Sequence, residues 1–350
     1  MASAATATVL TPPIYLMSDM KRLLPHYFGN TNYVGYGAYD DITEKRLFEL
    51  ATPLTLEALD GVPLEDTSVP HAVVCGSNSL VFLGTHKGHD VAIKMFIKLF
   101  DDVFTDDVAR TIADHGICPQ IYFNKSTQLP GSEYLVSVMV MEQVTPLEFY
   151  PFASSTELRH ATVSLICTVH RLHQMGKVHR DIKRGNLSIK SDGRTMVQSM
   201  LLDVDPIENI TPTRCNVNSS SYCCHPPPQL CQASIRLRKG DTIIDWFSTF
   251  TTILGYMLNM EKYWGFDIGN SSMFREKEMK TSHLNQDTLF YIIRNNIAHM
   301  FGEEKISKDD PFWRTFCRLT HFFFVGIRTC EPETYDDTLE GLISSLSAAV

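Results

Sequence analysis

The sequence predicts an α+β chain of two folded units, a small sheet-rich one followed by a larger helical one. Three observations point there. Between residues 71 and 141, short runs rich in Val, Ile, Phe and Tyr are separated by turn-forming pairs. From residue 156 onward, apolar residues recur at helical spacing. The length, 350 residues, suits two compact units at roughly 150 residues each.

Composition narrows the class. Hydrophobic residues make up 44% and charged residues 20%, enough apolar surface to bury a large core and too much for a mainly disordered chain. There are 31 Lys+Arg against 40 Asp+Glu, a formal charge of −9. That balance argues against general nucleic-acid binding, although a local basic groove could exist within it. The densest apolar run, Phe322-Phe323-Phe324-Val325-Gly326-Ile327, is far shorter than the ~20 residues a helix needs to cross a bilayer. No basic segment precedes the weakly apolar start, so no secretory signal is expected. The nine cysteines are odd in number and scattered. They fit reduced thiols in an intracellular compartment, cytoplasmic or nuclear.

Residues 1–69 read as an extension rich in Ala, Thr, Pro, Gly and Asp, turn-prone at 33–39 and with room for one or two short helices at 43–59. It carries no recognisable chemistry and no fixed-period repeat. The first folded unit is expected over 70–144. Strands at 72–75, 80–83 and 91–97 form a meander, a helix covers 105–115 up to the stop at Gly116 and Pro119, and strands follow at 120–123 and 134–141. The second unit is expected over 145–345. A helix at 156–175 ends at Gly176, a hairpin at 187–202 turns at Asp192-Gly193, and helices lie near 241–260, 285–300, 311–324 and 335–349. The Pro- and Cys-rich stretch 206–234 reads as a long loop.

The strongest signal is His179-Arg180-Asp181-Ile182-Lys183-Arg184-Gly185-Asn186. It matches the H-R-D-x-K-x-x-N catalytic loop, and the chain resembles eukaryotic-type protein kinases. Two further motifs stand in the expected order. Val91-Ala92-Ile93-Lys94 is similar to the V-A-I-K strand, and Leu201-Leu202-Asp203-Val204-Asp205 stands where D-F-G should. The resemblance implies a bilobal fold, a β-rich N-lobe and a helical C-lobe, that transfers phosphate from ATP to a Ser/Thr hydroxyl of a protein substrate. Asp181 would orient the hydroxyl and accept its proton. Lys183 would meet the γ-phosphate and Lys94 the α/β-phosphates. Asn186 and Asp203 would hold Mg²⁺, with Asp205 the alternative ligand.

The same alignment places Val74, Gly76 and Ser79 at the three positions of the glycine-rich loop, so one Gly of three survives. Val81 and Ala92 would line the adenine pocket, with Met141 as gatekeeper and Glu142 and Val144 as hinge residues. The helix after Lys94 has no Glu. Asp106 or Asp107 is the nearest substitute for the lysine's partner. Asp245-Trp246-Phe247-Ser248 resembles D-x-W-S, whose buried Asp caps backbone N–H groups of the catalytic loop in the family. Gln229 stands where the family has a Glu that pairs with a late Arg, here Arg328. A Gln229–Arg328 bond is expected, the alternative being an Arg328 that is partly exposed or paired with a nearby acid such as Glu331 or Glu333. Arg180 is the kind of cation that pairs with a phosphorylated residue of the activation segment, for which Thr211, Thr213, Ser219, Ser220, Ser221 and Tyr222 are candidates.

Rival readings remain. The thin glycine loop, the missing Glu and Asp205 suit a pseudokinase scaffold that binds nucleotide weakly or not at all. A small-molecule kinase would more often lack Lys183 and the D-x-W-S element. Cys215, Cys223, Cys224, His225 and Cys231 could form a zinc site, but their spacing is not a paired C-x-x-C, and a thiol-rich loop is the preferred reading. In texture, the divergent core with its unrelated extension resembles kinases of large DNA viruses, herpesvirus-like ones among them, which would make the compartment a host cell's.

Overall fold

The computed structural model describes residues 14–16, 68–70, 72–75, 79–86, 89–99, 106–128, 134–192, 197–204, 207–215, 228–260, 285–302 and 306–350. The chain is mixed α+β and divides into two compact units, 1–113 with 119–143, and 114–118 with 144–350. Among the described residues no helix is long and apolar enough to cross a membrane.

The first unit is built on a five-stranded antiparallel sheet. Its strands are β3 (Ala72–Cys75), β4 (Ser79–His86), β5 (His89–Leu99), β6 (Ile121–Gln128) and β7 (Tyr134–Glu142), in the order β3-β4-β5-β7-β6. Strands β3, β4 and β5 are sequential neighbours in a meander, and β7 lies between β5 and β6. The strands run longer than the apolar runs alone suggest, because ladder pairing carries polar ends such as Asn124 to Gln128 along with the core. A further pair, β1 (Ile14–Leu16) with β2 (Ser68–Pro70), lies antiparallel within the stretch read as an extension. The turn and helices expected at 33–39 and 43–59 lie outside the described residues. Helix α1 (Asp106–Asp114) precedes β6.

Register decides which side chains share a face. Val74 pairs with Val81, Val81 with Lys94, and Ala92 with Met141. Residues two apart on a strand share a face, as do residues directly opposite. Val81, Ala92, Lys94 and Met141 therefore lie on one face of the sheet, while the side chains of Val74 and Ser79 lie outside what is described. The alternate residues Val91, Ile93, Val138 and Val140 are buried and form the core on the other.

The second unit begins with β8 (Thr145–Pro146) and α2 (Ser155–Gln174). Ser154 caps α2 by accepting from the Glu157 N–H at 3.2 Å. The helix stops at Met175, and Gly176 turns the chain at φ +72°, a conformation that suits residues without a Cβ. Strand β9 (Lys177–Val178) follows, then the hairpin of β10 (Leu187–Ser191) and β11 (Val197–Leu201), and the short β12 (Glu208–Asn209). The helices α3 (Pro228–Arg236), α4 (Thr242–Thr252, running on as a wide turn through Met257), α5 (Gln286–Phe301), α6 (Pro311–Phe324) and α7 (Pro332–Ser347) complete it. Its core is aromatic: Trp246 and Phe250 of α4 stack on Phe323 at 5.2 and 5.3 Å between ring centroids.

Two expectations are corrected. Residues 228–236 are helical rather than loop. Pro228 opens the helix, where proline's missing N–H costs nothing, and Leu230, Ala233 and Leu237 bury its inner face. Residues 114–118 belong to the second unit rather than the first. The carbonyl of Ile117 accepts from the Leu201 N–H at 2.8 Å, that of Gly116 from Gln198 Nε2 at 2.8 Å, and that of His115 from Arg171 at 3.1 Å.

A tight approach fixes the segment before α4. Gly240 has φ +53°, and a Cβ there would collide with the Thr211 carbonyl oxygen and sit 3.1 Å from that of Arg214. Gly240→Ala is expected to cost about 2 kcal/mol or more, from torsional strain plus a backbone clash that no side chain can relieve. An unchanged midpoint in urea unfolding would show that the turn at 211–214 yields.

Candidate active site

The second unit gathers its chemistry in the loop between β9 and β10. A buried carboxylate holds that loop. Asp245, in the first turn of α4, is fully buried; its Oδ2 accepts from the His179 N–H and its Oδ1 from the Arg180 N–H, both at 2.7 Å. His173 Nε2 lies 3.1 Å from the same Oδ2, and its ring meets Trp246 edge to face at 5.3 Å. A buried charge is tolerable only when its lone pairs are satisfied, and here three donors converge on it.

With the backbone pinned on both sides, Arg180 takes a left-handed conformation, φ +68°. This is strained for a residue with a Cβ and persists because the surroundings over-determine it. The strained residue immediately precedes Asp181 and sets its direction. Asp181 is then held through one oxygen. Its Oδ2 accepts from Lys183 Nζ at 2.7 Å and from Asn186 Nδ2 at 2.8 Å, while Asn186 Nδ2 also reaches the Asp181 carbonyl at 2.9 Å. Oδ1 accepts no hydrogen bond among the described residues, and the side chain is about a quarter exposed, at 28%.

Asp203 is tied to the same loop through its neighbour. The Leu202 N–H donates to the Asn186 carbonyl at 2.7 Å, and the Leu202 carbonyl lies 2.9 Å from His179 Nε2. His179 Nδ1 accepts from the Asp181 N–H at 3.3 Å. These two bonds fit the tautomer with its proton on Nε2. Buried His179 therefore links the backbone of Asp181 to the residue before Asp203, which is itself at φ +52°.

Arg180 is already occupied. Its guanidinium pairs with Glu208 of β12 and lies 3.4 Å from Asp241, and Arg214 reaches Glu208 at 3.4 Å. Strand β12 pairs with β9, Glu208 opposite Val178 and Asn209 opposite Lys177, and the Ile210 N–H continues the ladder to the Gly176 carbonyl at 2.9 Å. Two carboxylates supply the negative charge, one of them from the segment that would be ordered. Of the candidate acceptors Thr211 and Thr213 are exposed, and Ser219, Ser220, Ser221 and Tyr222 lie outside the described residues.

Among the described residues no hydrogen bond joins Gln229 to Arg328. Because the helix starts at Pro228, Gln229 sits exposed in its first turn. The other end of α3 docks instead. Arg236 donates to the carbonyls of Cys330 at 2.6 Å, Ile327 at 3.1 Å and Arg328 at 3.3 Å.

Asn186 spends its amide nitrogen on Asp181, which leaves Oδ1 as an oxygen donor, and Asp203 adds a carboxylate. One amide and one carboxylate oxygen could hold Mg²⁺, a cation that keeps much of its shell for water and phosphate oxygens. Among the described residues no cluster of three or more His, Cys, Asp or Glu could hold a metal by itself. Of the residues of the zinc alternative, Cys223, Cys224 and His225 lie outside the described residues, and Cys215 and Cys231 are described.

No family model matches the chain, and no curated protein matches it either.

In the first unit, Val81, Ala92, Lys94 and Met141 share their face by register, while Gly76 and the side chains of Val74 and Ser79 lie outside what is described. The Glu142 N–H is taken by the Gln120 carbonyl at 2.8 Å. The Val144 N–H has no backbone partner among the described residues. Asp106 and Asp107 open α1; their pairing with Lys94 lies outside what is described. Sequence reasoning missed His173, Glu208 and Asp241. His173 could have been found, since it lies one turn before the Gly176 stop and six residues before His179. Glu208 and Asp241 carry no local signal, because only tertiary contact brings them to Arg180.

Proposed function

We propose that the chain transfers the γ-phosphoryl group of ATP to Ser/Thr hydroxyls of a protein substrate, in a bilobal kinase-like fold. One observation carries the reading. Asp181 is fixed through Oδ2 by a lysine and an asparagine, and its Oδ1 is left open to accept a proton. That is the arrangement a positioned general base needs, with the acceptor oriented and its other lone pairs engaged. Lys183, beside it, offers positive charge for the transferred group, and Lys94 is assigned to the α/β-phosphates.

Mg²⁺, when bound, neutralises phosphate charge, and Asn186 and Asp203 are the residues that would hold it. The chain's own contribution is positioning. Asp245 fixes the loop backbone, His179 couples it to the Asp203 segment, and Asp181 holds the acceptor hydroxyl and takes its proton. The net charge of −9 argues against nucleic acid as the acceptor.

A scaffold that does not transfer phosphate is the second reading, favoured by the lack of any Glu in α1. Labelled phosphate transfer from γ-labelled ATP to a peptide library separates the two. Alongside it, Asp203→Asn is expected to weaken Mg-ATP binding and lower turnover together, because the variant weakens a metal ligand. Metal-dependent affinity that survives Asp203→Asn would move the ligand role to Asp205.

A further inference from the structure

The segment after Asp203 returns to the loop that holds Asp181, yet burial does little to keep it there. Among residues 207–214 only Ile207 is buried. Strand β12 is two residues long, and both Glu208 and Asn209 are exposed. A ladder of that length, with its side chains in water, is marginal by itself. Lys177 adds one exposed hydrogen bond, from its Nζ to Asn209 Oδ1 at 2.7 Å.

The contact that singles out this position is ionic. The Arg180 side chain is only 11% exposed, and a cation so far withdrawn from water needs negative charge beside it. Buried Asp241 lies 3.4 Å from Arg180 Nε without forming a hydrogen bond. The hydrogen-bonded carboxylate is that of Glu208, which accepts from Arg180 Nη1. Its second oxygen lies 3.4 Å from Arg214. One carboxylate thus ties a cation of the loop to a cation of the segment. Arg180 is the joint: its left-handed backbone, held by Asp245, leads directly into Asp181, and its side chain ends on β12.

We propose that Glu208 is a positioning residue for Asp181, and that its carboxylate holds residues 207–214 against β9 in the unmodified protein, so that turnover does not depend on a phosphate added to that segment. Glu208 touches neither acceptor nor nucleotide; it acts through Arg180. The charges of Arg180, Arg214, Glu208 and Asp241 balance as they stand. A phosphate brought to Arg180 would add roughly two negative charges to a neutral cluster and meet two carboxylates already in place. Charge rather than shape carries the effect, because Glu208 is half-exposed and contributes little to packing. The effect on turnover rests on the phosphoryl-transfer reading, whereas the hold on the segment does not.

The test uses the full chain, freed of phosphate by phosphatase treatment and checked by mass spectrometry. It is compared with untreated protein, Glu208→Gln and Glu208→Asp, by amide hydrogen exchange and by transfer from γ-labelled ATP. Phosphate-free wild type should keep its turnover within about twofold of the untreated protein. Glu208→Gln keeps an acceptor oxygen and loses the charge. It should speed exchange of the 207–214 amides about tenfold, and lower kcat about tenfold with KM for ATP within about twofold. Glu208→Asp keeps the charge and should recover kcat to within about threefold of wild type. A loss in Glu208→Asp equal to that in Glu208→Gln would make the role one of shape and overturn the proposal. So would exchange in Glu208→Gln that matches wild type, or phosphate-free wild type that loses more than about tenfold of its turnover. If no preparation transfers phosphate, the transfer reading and the positioning role fail together, and the exchange comparison alone decides whether Glu208 holds the segment.

Discussion

Asp181→Asn is expected to lower turnover by about 10²–10⁴-fold while leaving Mg-ATP affinity within about twofold of wild type. The geometry separates the two effects. The amide oxygen of the variant can still accept from Lys183 and Asn186, so the loop keeps its shape. The amide nitrogen then stands where Oδ1 stood, a donor in place of the open acceptor, and the hydroxyl proton has nowhere to go. Single-turnover transfer and nucleotide binding, measured on the same preparation, check it. Turnover that survives would remove Asp181 from the chemistry. Turnover and affinity lost together would mean that the substitution collapses the loop, and circular dichroism would show that directly.

Asp245→Ala should be the most damaging single change to the second unit. It strands the N–H groups of His179 and Arg180 in a buried site and removes the partner of His173. Each unsatisfied buried group costs about 1–3 kcal/mol, so a loss of roughly 3 kcal/mol or more is expected in urea unfolding. Asp245→Asn should recover only part of it. The amide keeps one oxygen for one N–H but turns its own NH₂ toward the other. A loss below about 1 kcal/mol for the alanine variant would show that water replaces the carboxylate. The left-handed Arg180 should relax in the same variant, because the two bonds that hold its strained backbone are gone.

Much of the fold could be read from the sequence where the signal was local. The Asp192-Gly193 turn marked the β10–β11 hairpin, the Gly116 and Gly176 stops marked the ends of two helices, and the His179 to Asn186 run marked the loop that holds Asp181. Non-local features were hidden. Helix α3 was obscured by the prolines before it, although Pro228 is a favourable opening residue, because a Pro- and Cys-rich run has loop composition whatever follows it. The β1–β2 pair joins three-residue strands some fifty residues apart, and neither has an intrinsic preference strong enough to show. Arg180 shows the limit most clearly. Its type and position marked it as a cation in search of negative charge. That Glu208 and Asp241 provide the charge depends on β12 pairing with β9 and on the turn before α4, neither of which has a signature in sequence.

The docking of residues 114–118 constrains how the protein can be divided. The backbone passes into the second unit at 114, returns to the first at 119 and crosses again at 144, so three peptide links join the units rather than one. A fragment beginning at 144 would lack Ile117 and Cys118, both buried, and would expose the apolar seat they fill. It would also deprive the Leu201 N–H, Gln198 and Arg171 of their carbonyl partners, two residues upstream of Asp203 in the case of Leu201. Expression of the second unit alone therefore needs the 114–118 peptide supplied in trans or fused, and a protease that nicks the chain between 119 and 143 would leave that peptide seated.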